Sequence, residues 1–129
     1  MKDKELQQSR EALRGVVAGV DLREYANSNL PLRIPEEEID MERHIALNYM
    51  RGILETLIRV YTGEEKVNPG SFLEHIISND LMGATESASQ LHYIGLKVYM
   101  KFIYEFVEPE LAVAMKEKIE GQKQYRRRF

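Results

Sequence analysis

The stretch from Asn68 to Leu81 constrains the fold most, because it places a turn, a helix cap and a second break within fourteen residues. Pro69-Gly70 predicts a tight turn, since proline fixes φ and glycine accepts positive φ without steric cost. Ser71 and Glu74 have the spacing of a capping box, which predicts that a helix begins at Phe72. A chain punctuated in this way must bend sharply here.

Asn79-Asp80 predicts the end of this short helix and the start of another, with Asp80 capping the N–H group of Met82 or Gly83. We assign these residues a structural role first and a role in ligand contact second. The residues predicted to hold the corner are Pro69, Gly70, Ser71, Glu74, Asn79 and Asp80.

Two long amphipathic helices flank the corner. The first is predicted over residues 36–61, with Pro35 suited to its first turn and Thr62-Gly63 as its end. Its apolar positions follow the helical period and are Ala46, Tyr49, Met50, Ile53, Leu57, Val60 and Tyr61. The second is predicted over residues 90–107, between Ser89 as its cap and Pro109. We expect the two helices to pack antiparallel and to bury Ile53, Leu57, Ile94, Val98 and Phe102.

The remaining segments complete a single all-α domain over residues 1–129. An N-terminal helix is predicted within residues 1–22, a linker over 23–35, a helical core over 36–121 and a basic tail over 122–129. No stretch alternates apolar and polar residues over a useful length, so no strand is predicted. The expected fold is a compact bundle of five or six helices.

Composition limits the classes of function. The chain has 129 residues, 43% of them hydrophobic, which is ordinary for one globular domain. The absence of cysteine excludes disulfides, thiolate nucleophiles and cysteine-based zinc sites. Apolar runs are short and the N-terminus is polar, so we expect neither a membrane span nor a secretory signal, and a cytoplasmic location.

Charge is distributed unevenly although the net charge is only −3. Five acidic side chains and no basic one lie between residues 36 and 42, namely Glu36, Glu37, Glu38, Asp40 and Glu42. Residues 116–129 carry six basic side chains and two acidic ones. Such opposite fields can steer a partner or dock one subunit on another, or they can simply be solvated.

Catalytic patterns are weak, and we expect a protein that is not an enzyme and holds no metal or cofactor. Glu42, His44 and His75 form a conceivable metal set, but the three histidines lie on three different predicted helices. Glu38 and Glu42 match half of the carboxylate pattern of all-α nucleotide pyrophosphohydrolases, and the second half is missing. A small metal-dependent nucleotide hydrolase is therefore only an alternative.

Tyrosines and arginines offer a different chemistry. Five of the seven tyrosines lie on the two long helices, where they either pack in the core or line a pocket or an interface. In the second case tyrosine rings stack a base and arginines hold phosphates. The candidate ligand-binding residues are Tyr93, Tyr99, Tyr104, Arg51, Arg59, Arg126, Arg127 and Arg128.

Residues 50–109 resemble a family of small uncharacterised proteins encoded by phages and prophages. The likeness rests on Pro69-Gly70-Ser71-Phe72-Leu73, Asn79-Asp80-Leu81, Ala84, Ala88, Lys101-Phe102-Ile103-Tyr104, and Tyr61 with Gly63. The chain departs from that pattern at Leu91-His92, where an asparagine is usual, and it lacks the usual glycine-tryptophan ending. The resemblance implies a phage accessory or host-takeover protein and assigns no reaction.

Together these features favour a non-enzymatic phage protein that binds and blocks or sequesters a host component. That component is either a defence protein, engaged through the acidic segment, or a nucleotide signal, held by the tyrosines and arginines. An alternative is a DNA-associated accessory protein that uses the basic tail. The number of apolar side chains on the long helices also predicts a homo-oligomer.

Overall fold

Seven α-helices and no strand occur in the part of the chain that the structure describes, so the all-α prediction is confirmed. The structure is a computed structural model that describes residues 3–30, 37, 40–64 and 70–128. It does not describe the side chains of Ser71, Leu81, Gln90, Leu91, Tyr93 and residues 123–128. The helices are α1 (Asp3–Val17), α2 (Leu22–Ser28), α3 (Met41–Thr62), α4 (Gly70–Ile77), α5 (Leu81–Ser87), α6 (Gln90–Phe106) and α7 (Pro109–Arg128).

Helix α6 begins where the sequence predicts and ends at Phe106, one residue before the predicted end. The Ser89 hydroxyl oxygen accepts a hydrogen bond from the backbone N–H of His92 (3.3 Å) and caps the helix. At the other end, Val107 is extended and Pro109 opens α7. Helices α3 and α6 contact each other, as predicted for the two long helices.

The linker predicted over residues 23–35 is wrong in its first half, because α2 occupies Leu22–Ser28, and residues 31–35 lie outside the described residues. Asp21 starts this helix by accepting a hydrogen bond from the backbone N–H of Glu24 (3.1 Å). Ala26 and Asn27 are buried against the bundle. Tertiary packing thus stabilises seven residues that would be too few to form an isolated helix in water.

The first long helix begins later than predicted. Asp40, rather than Pro35, precedes its first turn, and the carboxylate of Asp40 accepts a hydrogen bond from the backbone N–H of Arg43 (2.8 Å). Glu37 therefore lies ahead of α3 and not within it, while Glu36 and Glu38 lie outside the described residues. The predicted end at Thr62-Gly63 is confirmed.

Helix α7 is longer than predicted. It passes through Gly121 and continues to Arg128, so the backbone of the predicted basic tail is helical up to that residue. One glycine costs a helix only about 1 kcal/mol relative to alanine, which a long helix tolerates. Leu111, Met115 and Ile119 bury one side of its first half.

The core surrounds the buried side of α3. Its fully enclosed side chains on that helix are Leu47, Met50, Leu54, Leu57 and Tyr61. Val98 and Phe102 of α6 are also fully buried, as predicted. Ile94 is 42% exposed and Ile53 is half-buried, so the predicted burial of these two residues is wrong for Ile94 and partial for Ile53.

The last turn of α3 has all four of its final carbonyl oxygens satisfied. Gly63, at φ 69°, donates its N–H to Val60, and Glu64 donates to Arg59, which is the bond pattern of a Schellman motif. The other two oxygens accept from α1. Nε of Arg10 donates to the Tyr61 carbonyl (3.2 Å) and the Arg14 guanidinium donates to that of Thr62 (2.8 Å).

The corner between α4 and α5 repeats this chemistry. Asn79, at φ 58°, donates its N–H to the Ile76 carbonyl, and Asp80 donates to that of His75, so α4 also ends in a Schellman motif. The Asp80 carboxylate then caps α5 by accepting from the backbone N–H of Gly83 (2.9 Å), as predicted, while its second oxygen lies 3.0 Å from Nδ1 of His75.

The predicted start of the corner is only partly correct. Helix α4 begins at Gly70, at φ 83°, so Ser71 belongs to the first turn and is not the N-cap. Glu74 is buried. Pro69 lies outside the described residues.

We predict that Gly63→Ala lowers the free energy of unfolding by about 1–3 kcal/mol, because alanine is strained at positive φ. A Cβ at this position would also lie 2.8 Å from the Arg10 guanidinium. The measurement is urea unfolding followed by circular dichroism.

Gly121→Ala is the matched control. Gly121 lies inside α7, and a Cβ at this position would have nothing within 4 Å, so alanine there should leave stability equal or raise it by up to about 1 kcal/mol. Equal effects of the two substitutions would contradict the role given to Gly63.

Candidate functional site

The first half of α3 exposes a row of large apolar side chains. Met41 is 73% exposed, Ile45 57% and Tyr49 37%. Residues four apart lie on the same side of a helix, so the three side chains form one continuous row, here called the α3 row. The α3 row contains all the large apolar side chains that are exposed on this helix.

The α3 row exists because α3 carries apolar residues on two sides. One side supplies Leu47, Leu54 and Leu57 to the core. A helix can face the core with a stripe of limited width, so apolar residues outside that stripe remain at the surface. Tyr49, a member of the apolar series that follows the helical period, is one of these exposed residues, although its neighbour Met50 is buried.

Tyr49 is held in place at the end of the α3 row. Its hydroxyl group and Nε2 of His92 share a hydrogen bond at 2.5 Å. The His92 ring stacks on Phe72, with ring centroids 4.3 Å apart and planes 5° apart. Partial burial lowers the pKa of His92 below its ordinary value, so the neutral ring is favoured in the folded protein.

Tyr99 lies beneath this cluster and is fully buried. Its ring meets Phe72 edge to face, with centroids 6.1 Å apart. A Cβ on Gly95 would lie 2.5 Å from the Tyr99 hydroxyl, so glycine gives the ring its room. Burial, with Tyr49 nearby, raises the pKa of Tyr99 well above its ordinary value. The hydroxyl has no hydrogen-bond partner among the described residues.

Acidic side chains lie at the start of the α3 row. Glu37, Asp40 and Glu42 are exposed, and Asp40 caps the helix. The nearby Arg43 is half-buried. Among the described residues at the start of α3, the exposed charged side chains are therefore acidic, and Asp40 and Glu42 flank Met41 in the sequence.

The predicted ligand-binding residues whose side chains are described do not form one site. Tyr99 is in the core, which excludes it from stacking a ligand base, while Tyr104 is 88% exposed on the outer side of the same helix. Arg51 lies 3.8 Å from the Glu55 carboxylate, and Arg59 is half-buried and donates to the Thr56 hydroxyl.

The other predicted ligand-binding residues are not described at the side-chain level. They are Tyr93, Arg126, Arg127 and Arg128.

A surface cavity of about 510 Å³ lies between α1 and the start of α7. Its lining residues are Glu5, Gln8, Ser9, Ala12, Glu108 and Glu110. Ser9 donates its hydroxyl hydrogen to the Glu108 carboxylate (2.9 Å). Three carboxylates with no basic group in the lining repel phosphate, so this cavity does not suit a nucleotide.

The histidines of the conceivable metal set have other partners. Nδ1 of His44 lies 2.7 Å from the Arg23 guanidinium, and His75 pairs with Asp80. Within the described ranges, no three His, Asp or Glu side chains are placed to hold a metal ion.

Comparison of the chain with protein-family models, curated proteins and solved structures gave no match. Among the described residues, no helix has the length and apolar content that crossing a membrane requires.

We predict that His92→Phe removes part of the loss of stability that acid causes. Because the folded protein lowers the pKa of His92, the unfolded chain takes up the proton first. The wild type therefore loses stability as the pH falls below the ordinary histidine value of about 6.5, and this His92 contribution is absent above it.

The measurement is urea unfolding of both proteins at about pH 8 and about pH 5. Phenylalanine preserves the stack on Phe72, and the other two histidines are present in both proteins, so the comparison isolates the contribution of His92. A pH dependence that is the same in both proteins would contradict the burial of His92.

Proposed function

We propose that this chain is a non-enzymatic accessory protein that binds a host protein and blocks it. The observation that carries the proposal is the α3 row, which extends over two helical turns at the surface. The contact surface is this row together with its acidic border, Glu37, Asp40 and Glu42.

Exposed apolar side chains in a continuous row favour a protein partner. Single exposed apolar residues are ordinary on a protein surface, but a contiguous apolar patch with a polar rim is typical of an interaction site. Methionine and tyrosine are also enriched in protein interfaces. Met41 and Tyr49 stand at the two ends of the row.

A protein partner fits the described residues better than a nucleotide. Stacking a base needs accessible rings, and Tyr99 is buried. Holding phosphates needs available arginines, and Arg51 is paired with Glu55. The described cavity is lined by carboxylates. We therefore favour a defence protein or another host protein over a nucleotide signal.

The resemblance to small phage proteins supports a host target. It covers residues 50–109, which supply most of the core, whereas the α3 row lies just before that range. On this proposal, the shared part provides the scaffold, the row provides specificity, and the protein acts in the cytoplasm of the host cell.

The helical backbone of α7 up to Arg128 favours a second candidate function, binding to DNA. The sequence places Lys123 and Arg126–Arg128 on this last part of the helix, where basic residues are also favourable to the helix dipole. The net charge of −3 opposes this function, because the whole domain repels a phosphate backbone.

We also propose that the protein self-associates, but the reason is no longer the number of apolar side chains on the two long helices. Met50, Tyr61 and Tyr99 are absorbed by the core. The apolar side chains that stay exposed, among them the α3 row, are the reason to expect a homo-oligomer.

We predict that Ile45→Glu abolishes capture of the host partner. Purified wild type and variant, each immobilised at equal density, are incubated with a bacterial lysate, and the retained proteins are quantified by mass spectrometry. A charge in the centre of an apolar contact leaves a buried, unpaired group, so retention should fall by about tenfold or more.

Val113→Glu is the matched control, because Val113 on α7 is 54% exposed and Ile45 is 57% exposed. This variant should retain the partner at the wild-type level. A partner lost equally from both variants, or retained by both, would contradict the proposed surface. Recovery of a nucleotide instead of a protein would favour the nucleotide signal.

A further inference from the structure

We propose that the partner presents a basic amphipathic helix to the α3 row. This inference rests on the proposed function, since it specifies which element of the host protein is recognised. Three features of the described residues carry it: the spacing of the row, the charge at its border and the fixed position of Tyr49.

The spacing of the row favours a helical partner. Met41, Ile45 and Tyr49 follow the i, i+4 rows that form ridges on a helix surface. Such a ridge fits into the groove between corresponding rows of a second helix. At about 1.5 Å per residue the row is about 12 Å long, which matches slightly more than two turns of a partner helix.

The acidic border of the α3 row favours a partner helix that carries positive charge. Glu37, Asp40 and Glu42 are exposed around the start of α3. The partial positive charge of a helix N-terminus is only about half an elementary charge, so three carboxylates outweigh it. A partner helix with lysine or arginine beside its apolar side would complement this border and would associate faster at low salt.

Tyr49 gives the surface a fixed anchor. It is joined to His92, and the His92 ring lies flat on the buried Phe72. A side chain that is already held in one place loses little conformational entropy on binding. Aromatic anchors of this kind often contribute most of the binding energy of an interface.

A second copy of this chain is the competing occupant. The exposed side of α6 carries Ile94, Lys97, Lys101 and Tyr104, which is a row of mixed basic and apolar side chains. Lys101 is already 3.5 Å from Glu105, and this pairing reduces its attraction for a second acidic surface. We therefore favour a foreign helix.

The test uses a fluorescein-labelled helical peptide of about 18 residues that has leucines on one side and lysines on the other. Its binding is measured by fluorescence anisotropy at about 50 mM and about 300 mM salt. A peptide of the same pattern with glutamate in place of lysine is the probe control. The lysine peptide should bind the wild type more weakly at the higher salt, and the glutamate peptide should not bind.

Two pairs of variants distinguish binding of the peptide at the α3 row from a non-specific attraction of the peptide to an acidic protein. Ile45→Glu and Glu42→Lys should each weaken binding by about tenfold. Val113→Glu and Glu117→Lys on α7 make the same chemical changes at exposed positions and should change binding by less than about twofold. Circular dichroism of each variant checks that the fold is retained.

The proposal of a basic partner helix would be wrong if both pairs of variants weakened peptide binding equally, or if the two peptides bound the wild type equally. It would also be wrong if sedimentation showed a wild-type dimer that Ile45→Glu dissociates, because a second copy would then occupy the row. If the lysine peptide does not bind while lysate capture still depends on Ile45, the proposal of a basic partner helix is wrong and the proposed function stands. If the peptide binds the row while lysate capture is independent of Ile45, the proposed function is wrong.

Discussion

Two arginines of α1 satisfy the carbonyl oxygens that the last turn of α3 would otherwise leave open, and this closure connects the end of the central helix to two of its neighbours. A hydrogen bond from a charged donor contributes about 1.5–3 kcal/mol, more than a neutral one. Arg10 and Arg14 make these bonds while Gly63 turns the chain away from the helix. The Arg10 guanidinium also reaches the sulfur atom of Met115 on α7 (3.8 Å). One small region thereby fixes α1, α3 and α7 against one another.

The same closure explains why the two ends of α3 differ. Its second half is enclosed by packed side chains and capped by α1, and its buried residues there include Val60 and Tyr61. Its first half begins at an exposed cap, Asp40, and keeps Met41 and Ile45 at the surface. A helix anchored firmly at one end can hold such a row in a defined orientation, which is what a contact surface requires.

The sequence predicts the parts of the fold that depend on local chemistry. Ser89 and Asp80 are caps because their side chains reach backbone N–H groups three residues ahead, and this needs no information from the rest of the chain. Local patterns do not reveal α2, because its burial against the bundle stabilises it. They make α7 too short, because one glycine costs a helix only about 1 kcal/mol and does not end it. The first of these errors concerns an effect that acts between segments.

The candidate site is harder to predict for the same reason. The period of α3 places Tyr49 next to Met50 at the edge of the apolar side, and the packing of the whole bundle, which the sequence pattern does not contain, leaves Met50 buried and Tyr49 exposed. A ligand-binding role for Tyr99 is one of two possibilities that the sequence allows, and the room that Gly95 leaves for its ring puts it in the core. The signal in the sequence that indicates the exposed row is the presence of apolar residues on both sides of α3.

Site-specific photo-crosslinking in living cells tests the proposal that the α3 row contacts a host protein. A benzophenone amino acid is incorporated at position 45 in one version of the protein and at position 113 in another, and bacterial cells producing each are irradiated. We expect one dominant crosslinked host protein from position 45 and none from position 113. The same set of crosslinked proteins from both positions, or a specific product from position 113 alone, would contradict it.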